Sequence, residues 1–563
     1  MGNEQPKRAR YRKLLRTILI SGGALLLNSL MTFFLVPVIS NSVGTEAYGF
    51  VSMARTFEQY AMILTAALNA FAARYIVIAY HEGKLEETNA YFTSTLYGDG
   101  LLATGLFLIA GTAIIFLERI VLISPELVAD VKLLFLFIFV NFWIVTMATA
   151  FNSAAHIKNK LDVAGVFKVA AYLCEAGLLI FSYNVLRPSV YYVGLGRALE
   201  AFIMAAGSVW IWRRFTRELT ARRRYFSWTA IKRLVTNGVW TSMNSLGGVL
   251  NDGLDLWICN RMLTPLGMGQ LAIAKTFHSL FLGAFGIVSQ PFEPLLLKSY
   301  AEHDRETLLG ELKLAMKLSG MLSNILFAGF VALGVAFYKL WIPREDVYLI
   351  YGLTIVSNLA TVPSGPMFPL YYIYVLTAKN RFPTVMTILG GLLNVLSMFI
   401  LLSTTDLGNY AILWTSVAVS AMIAYVSNPL YMAHVLHEPW WTFYPGILQN
   451  LLSCGVMVAV FKGLSLLYEP SDWITLLLSA CVLLLVGAGL HVLIVCSRDE
   501  RKELARRKRR SGRLILPVGT RSTSTSLEAG RSNCSTSPFS GLPNQQTGGV
   551  SDGTSGIDCN PQL

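Results

Sequence analysis

Charge is what this sequence has least of: only 14% of its 563 residues are Asp, Glu, Lys or Arg, against 54% apolar. A soluble domain carries about 25% charged residues. With a mean hydropathy of +0.53, this chain lacks a surface that water could solvate and belongs in a membrane. No Gly-rich Lys-Ser/Thr phosphate loop occurs, and no segment between the apolar tracts is large enough to host one, so an ATP motor is not encoded. The seven cysteines show neither disulfide nor metal-ligand spacing: Cys174, Cys259, Cys454, Cys481 and Cys496 lie in or beside apolar tracts, and Cys534 and Cys559 in a polar tail. The seven histidines are scattered, and His434 and His437 flank a helix end suited to the lipid surface rather than to metal. A formal charge of +13 does not point to nucleic acid, because the basic residues cluster in short loops between apolar tracts, where they orient a membrane protein.

Tracts long enough to cross a bilayer fall near residues 14–39, 46–78, 89–117, 130–153, 163–185 and 190–212, then near 235–260, 267–297, 308–338, 346–377, 383–403 and 409–433, and finally near 445–467 and 473–496. The first exceeds a signal-peptide core and meets no small-residue cleavage pattern, so it is expected to stay as a span. About fourteen transmembrane helices follow. The expected organisation is an all-α integral membrane protein with a six-helix lobe at 1–212, a basic linker at 213–234, a second six-helix lobe at 235–435, an extra helix pair at 436–497 and a basic, then disordered, tail at 498–563. Placing Lys7, Arg8, Arg10, Arg12 and Lys13 in the cytoplasm puts the Lys158/Lys160 loop, the linker, the Lys379/Arg381 loop and the Arg506–Arg510 run there too. Both termini are then cytoplasmic, in a cytoplasmic membrane.

The halves are copies. When the second is laid over the first in a single register, Arg12-Lys13-Leu14 lies over Lys232-Arg233-Leu234, Gly49 over Gly269, Arg55-Thr56-Phe57 over Lys275-Thr276-Phe277, and Tyr80, Glu82 and Glu86 over Tyr300, Glu302 and Glu306. With the register moved by one position, Lys158-Asn159-Lys160 lies over Lys379-Asn380-Arg381. Two copied halves in a bilayer imply a site between them that opens to either side, which favours transport over catalysis. The chain is not expected to be an enzyme.

Particular residues carry a family resemblance. Gly44-Thr45-Glu46-Ala47-Tyr48-Gly49 opens the second span; Ala72-Ala73-Arg74-Tyr75-Ile76 and Gly83-Lys84-Leu85-Glu86-Glu87 close it; Ser289-Gln290-Pro291 precedes Tyr300 and Glu302; and Asn394 sits in the eleventh span. In this order the motifs resemble the polysaccharide-exporter flippases of the multidrug/oligosaccharidyl-lipid/polysaccharide superfamily, over roughly residues 10–435. The resemblance implies a V-shaped, two-lobed bundle that moves a polyprenyl-diphosphate-linked oligosaccharide from the inner to the outer leaflet, with polysaccharide-assembly proteins as further partners.

Charges inside spans are the candidate site residues, since intramembrane charge faces the bundle interior or a wet cavity. Arg55 and Glu58 are one turn apart in the second span, and duplication places Lys275 and His278 at the matching depth of the eighth. These four would wall a substrate cavity, or Arg55 and Glu58 would merely neutralise each other. Arg74 would meet the headgroup or snorkel to the interface. Asp252 and Asp255 share a face of the seventh span and need a cation: a proton, Na+, or Arg55, Lys275 or Arg261. The lipid-linked peptidoglycan-precursor flippases, which the chain also resembles, imply an ion-coupling role for Asp255 with Asn394, although Met398, one turn on, supplies no carboxylate. Glu175, Arg197 and Glu200 are expected to form a buried ion pair. Asp99, between two glycines, would serve a cytoplasmic gate or face water. Pro363, Pro366 and Pro369 must bend the tenth span and are candidate hinges. No resident cofactor or metal is expected beyond Na+ or H+ coupling. A drug or cation exporter, a glycosyl polymerase and a non-transporting synthase scaffold are the competing functions; the first would favour acidic cavity residues, the second needs a large outer loop, and the third leaves the intramembrane charges unexplained. The final helix pair, nearly free of charge, is expected to hold the prenyl tail or to stabilise the second lobe.

Overall fold

The computed structural model describes residues 23–501 except 25, 26, 360, 378, 380, 498 and 499, and every side chain in that range but those of Asp252, Thr361 and Pro363. The basic N-terminus, the start of the first expected span, Asn380 and the tail lie outside the described residues. Every regular element among the described residues is helical. The longer ones are α1 (Leu27–Ser42), α2 (Thr45–His81), α3 (Leu85–Ile115), α4 (Pro125–Ile157), α5 (Leu161–Val185), α6 (Tyr191–Phe215), α7 (Trp228–Asp252), α8 (Pro265–Ala301), α9 (Arg305–Trp341), α10 (Val347–Leu376), α11 (Arg381–Thr404), α12 (Asn409–Val435), α13 (Tyr444–Leu467) and α14 (Trp473–Val495). Twelve of these are long and apolar enough to span a bilayer. The other two are α1, which is shorter over its described part, and α7, which is 25 residues long but carries too many Asn, Ser, Thr and Gly residues.

The duplication is written into the helix boundaries. α2 and α8 are 37 residues each. In the register that lays Gly49 over Gly269, α8 begins and ends where α2 does, and α11 starts where α5 starts. α2 packs on α3 and α4, and α4 and α5 on α6. In the second half α7 packs on α11, α8 and α9 on α10, and α10 and α11 on α12, while α13 and α14 lie against α9. The halves meet along α2, which runs beside α7 and crosses α8.

The Thr45 end of that seam is built by the motif that opens α2. Gly44 has φ 114°, a left-handed conformation that suits glycine and turns the chain from α1 into α2. Thr45 Oγ1 donates to Glu345, in the turn after α9, and Ser40 Oγ reaches the same carboxylate at 2.8 Å. Glu46 accepts from the backbone N–H and hydroxyl of Ser124 at 3.0 and 2.7 Å. Tyr48 bonds Thr276 of α8 at 2.9 Å. Gly49 and its duplicate Gly269 are the crossing point: a Cβ on Gly49 would sit 2.9 Å from the Gly269 backbone.

At the other end the basic loops gather. Tyr80 and Lys158 meet at Glu218 of the linker, which accepts from Tyr80 Oη at 3.0 Å. Arg233 of α7 reaches Tyr91 of α3 at 2.8 Å, and Asn237 bonds Tyr75 at 2.9 Å. Within α10, Pro366 lies inside the helical piece Thr361–Met367, and Phe368–Tyr371 forms a 3-10 turn containing Pro369. The side chain of Pro363 lies outside the described residues.

Candidate functional site

A cavity of about 830 Å³ lies almost wholly in the second half, between α7, α8, α10, α11 and α12. Its floor is one face of α7. Asn237, Thr241, Asn244, Gly248 and Asn251 recur at intervals of three and four residues, the period that puts side chains on one helical stripe. Opposite them stand Asn428 and Ser420 of α12 and Thr384 and Thr387 of α11. Trp240, Tyr371 and Tyr374 add aromatic faces, and the guanidinium of Arg381, the first residue of α11, lies 5.5 Å from the Trp240 ring centroid. α12 contributes through a π-helical turn, Ile423–Ser427, directly before Asn428; such turns widen a helix and recur at functional sites. Polar stripe and ring faces together can bind many hydroxyls while leaving the wall nearly neutral.

Of the expected cavity residues, His278 borders this space. Arg55, Glu58, Lys275 and Arg74 do not border it. Arg55 and Glu58 join the residues assigned to a separate ion pair: Arg197 contacts Glu200 at 2.8 Å and Glu175 at 3.6 Å, Arg55 interacts with Glu58, Glu175 and Arg197, and Glu58 accepts from Asn141 Nδ2 at 2.5 Å. Five charges from α2, α5 and α6 thus form one network inside the first half. Arg55 Nε has no hydrogen-bond partner. Arg74 is exposed on α2.

The duplicate cation is paired differently. Lys275 of α8 forms an ion pair with Asp255, whose side chain is fully buried. Asp255 opens the short helix Asp255–Met262, set off from α7 by a break at Gly253 and Leu254. Irregular backbone in a span must be satisfied by protein groups: Tyr60 of α2 donates to the Gly253 carbonyl at 2.8 Å, and Asn394 of α11 donates to the Asn251 carbonyl at 2.6 Å. Asn394 also reaches Ser416 at 3.2 Å, and the buried Met398 follows it by one turn. Asn394 therefore braces the break in α7, and the ammonium of Lys275 supplies a cation to Asp255. The side chain of Asp252 lies outside the described residues. Asp99 faces no water: it is buried and bonded by Asn69.

Sequence reasoning missed the break and the stripe. Gly253 between Asn251-Asp252 and Leu254-Asp255 signals the first, and the Asn spacing of α7 signals the second; charge drew attention instead. A second, apolar pocket of about 420 Å³ lies among Leu333 of α9, Leu464 and Leu467 of α13 and Leu478, Val482 and Leu483 of α14.

Residues 14–292 match the family model described as "Polysaccharide biosynthesis protein". The uncharacterized membrane protein EpsK of Bacillus subtilis (strain 168) is 25% identical over 489 residues, 87% of this chain and 96% of that protein. The fold is similar to an inward-facing multidrug resistance MATE family transporter of the MOP superfamily, with a TM-score of 0.61, 15% identity and coverage of 73% of this chain and 94% of that one. It is equally similar to the lipid II flippase MurJ in its inward closed conformation, with a TM-score of 0.61, 15% identity and coverage of 84% and 99%. Residues 14–292 are thus similar to polysaccharide biosynthesis proteins, and the chain as a whole has the multi-pass helical fold seen in the MATE transporter and in MurJ.

Proposed function

We propose that this protein flips a lipid-linked oligosaccharide across the cytoplasmic membrane for polysaccharide export. The observation that carries the reading is the Asn and Thr stripe of α7, with Trp240 beside it, sharing a cavity of about 830 Å³ with Tyr371 and Tyr374 of α10. That volume falls within the roughly 300–1,000 Å³ of small-molecule sites, enough for a few sugar rings. Amide side chains donate and accept at once, which suits hydroxyls, and no carboxylate is among the described lining residues, which counts against a cation exporter. Arg381 at one end offers a charge-assisted contact for a phosphate. The positive-inside rule places the His81 end of α2, where the basic loops gather, in the cytoplasm. The two lobes then alternate about the α2 seam, and Pro363, Pro366 and Pro369 of α10 are the candidate hinge.

The apolar pocket beside α13 and α14 supports a seat for a prenyl chain, whose burial is worth about 0.8 kcal/mol per methylene. A membrane-vesicle assay tests the whole reading. Inverted vesicles given a fluorescent polyprenyl-diphosphate oligosaccharide should protect it from an external glycosidase only when the chain is present. Asn244→Leu and Asn251→Leu should slow protection while leaving the folded protein in the membrane. Equal protection in vesicles lacking the chain would refute the function.

A further inference from the structure

Asp99 of α3 stands between Gly98 and Gly100, and its side chain is wholly buried. Asn69 of α2 donates from Nδ2 to Asp99 Oδ1 at 2.9 Å. The other carboxyl oxygen, Oδ2, has no partner, and neither has Asn69 Oδ1. Thr95, one turn earlier on α3 and equally buried, also has an unpartnered hydroxyl.

α3 packs on α2, α4 and α7, on the linker turn Arg223–Tyr225 and on the short helix Leu117–Ile120, and among the described residues no charged side chain of those elements acts on Asp99, Arg223 and Arg224 included. Arg233 of α7 is engaged with Glu87 and Tyr91, and Arg74 of α2 is exposed. A naked carboxylate in such a place is strongly disfavoured, and so is each orphaned acceptor. One proton removes these costs. On Oδ2 it neutralises the group and gives that oxygen a hydrogen to donate, and the acceptor beside the Asn69 Nδ2 donor is Asn69 Oδ1. A protonated Asp99 can then pair with the amide through both groups, Nδ2–H to Asp99 Oδ1 and Asp99 Oδ2–H to Asn69 Oδ1. A hard metal cation calls for about six oxygens, more than Asp99, Asn69 and Thr95 provide.

We infer that Asp99 and Asn69 form a proton-binding site in the first half, loaded in this conformation and discharged when α7 withdraws from α2 and α3. A Cβ on Gly98 would meet Leu68 of α2 at 2.8 Å and Ile231 of α7 at 3.9 Å, so α7 stands over the site. Separation of the helices admits water, the Oδ2–H bond breaks, the proton leaves on water, and the carboxylate that remains is hydrated. The site stands whether or not the transported substrate is a glycan.

Infrared spectroscopy of the purified chain tests it. At neutral pH in choline buffer the protein should show a protonated-carboxyl stretch that Asp99→Asn removes and Asp99→Glu restores at a shifted frequency. Asn69→Leu, which removes the amide, should move the band of the wild-type acid. A wild-type spectrum without any protonated-carboxyl band overturns the proposal with no variant needed. So does a wild-type-minus-Asp99→Asn difference lacking that band, or a band lost when Na+ replaces choline, which would make this a sodium site.

Discussion

Two glycines on opposite ends of the α2 seam allow each end to be pushed open separately. A Cβ on Gly269 of α8 would lie 2.2 Å from the Thr45 carbonyl oxygen, and one on Gly238 of α7 would lie 1.9 Å from the Ala67 carbonyl oxygen. Both obstacles are backbone, so neither swings aside. Recovering an ordinary 3.4 Å contact requires α8 to retreat by more than an ångström in Gly269→Ala, and α7 to retreat somewhat further from α2 in Gly238→Ala. Overpacking of this kind costs about 1–3 kcal/mol. If each contact exists only while its own end is closed, that cost falls on one state and shifts the equilibrium about 5- to 150-fold. Gly269→Ala should therefore populate a form open at the Thr45 end, and Gly238→Ala a form open at the His81 end. Electron–electron resonance distances would report this, with labels at the exposed Ser42 and Tyr348 for one end and His81 and Lys379 for the other, after replacement of the native cysteines. Each variant should lengthen the distance at its own end and leave or shorten the other. Stable expression of both with identical distance distributions, or a shift of both in one direction, would refute rocking about α2.

Removing one partner from a buried ion pair costs about 3–5 kcal/mol, so Lys275→Ala should lower thermal stability in detergent far more than Lys275→Ala with Asp255→Asn, and equal losses would show that the ammonium does not neutralise Asp255. Glu345→Gln weakens the charge-assisted bonds from Ser40 and Thr45 and should shift the Ser42–Tyr348 distance upward as Gly269→Ala does, while an unchanged distance would demote the carboxylate. Glu218 is held below the ordinary carboxylate range by its own backbone hydrogen bond, with help from Tyr80 and Lys158. A lowered carboxylate contributes above its ordinary pKa and loses that contribution as pH falls through the lowered one, so hydrogen exchange at the linker should rise only below about pH 4; a rise near neutrality would contradict the assignment.

The helix plan was legible because a bilayer leaves so few solutions: apolar length sets each span, and the repeat that lays Gly49 over Gly269 reappears as matching ends of α2 and α8. The site was legible only in part, and the reason lies in what charge does inside a membrane. An ionisable side chain there must either meet water or meet its opposite, and sequence spacing displays only partners on the same helix. Arg55 shows Glu58, but its companions Glu175 and Arg197 come from α5 and α6; Lys275 shows no neighbour, yet Asp255 lies at the start of a helix that exists only because α7 breaks at Gly253. Both of these cations looked available to a substrate, and both had a carboxylate waiting across a helix interface. The wet surface was left to groups that need no counter-charge, and the amides of Asn237, Asn244 and Asn251 can turn to water or to sugar at little electrostatic cost. A helix too polar to register as a span by hydropathy is for that reason the better pointer to a translocation path than the charges beside it. The same logic bears on the first half of the repeat: in the register that lays Gly49 over Gly269, Asn237, Asn244 and Asn251 fall on Thr17, Ala24 and Met31, so the three amides are not repeated in the sequence, and substrate contacts should divide unequally between the halves.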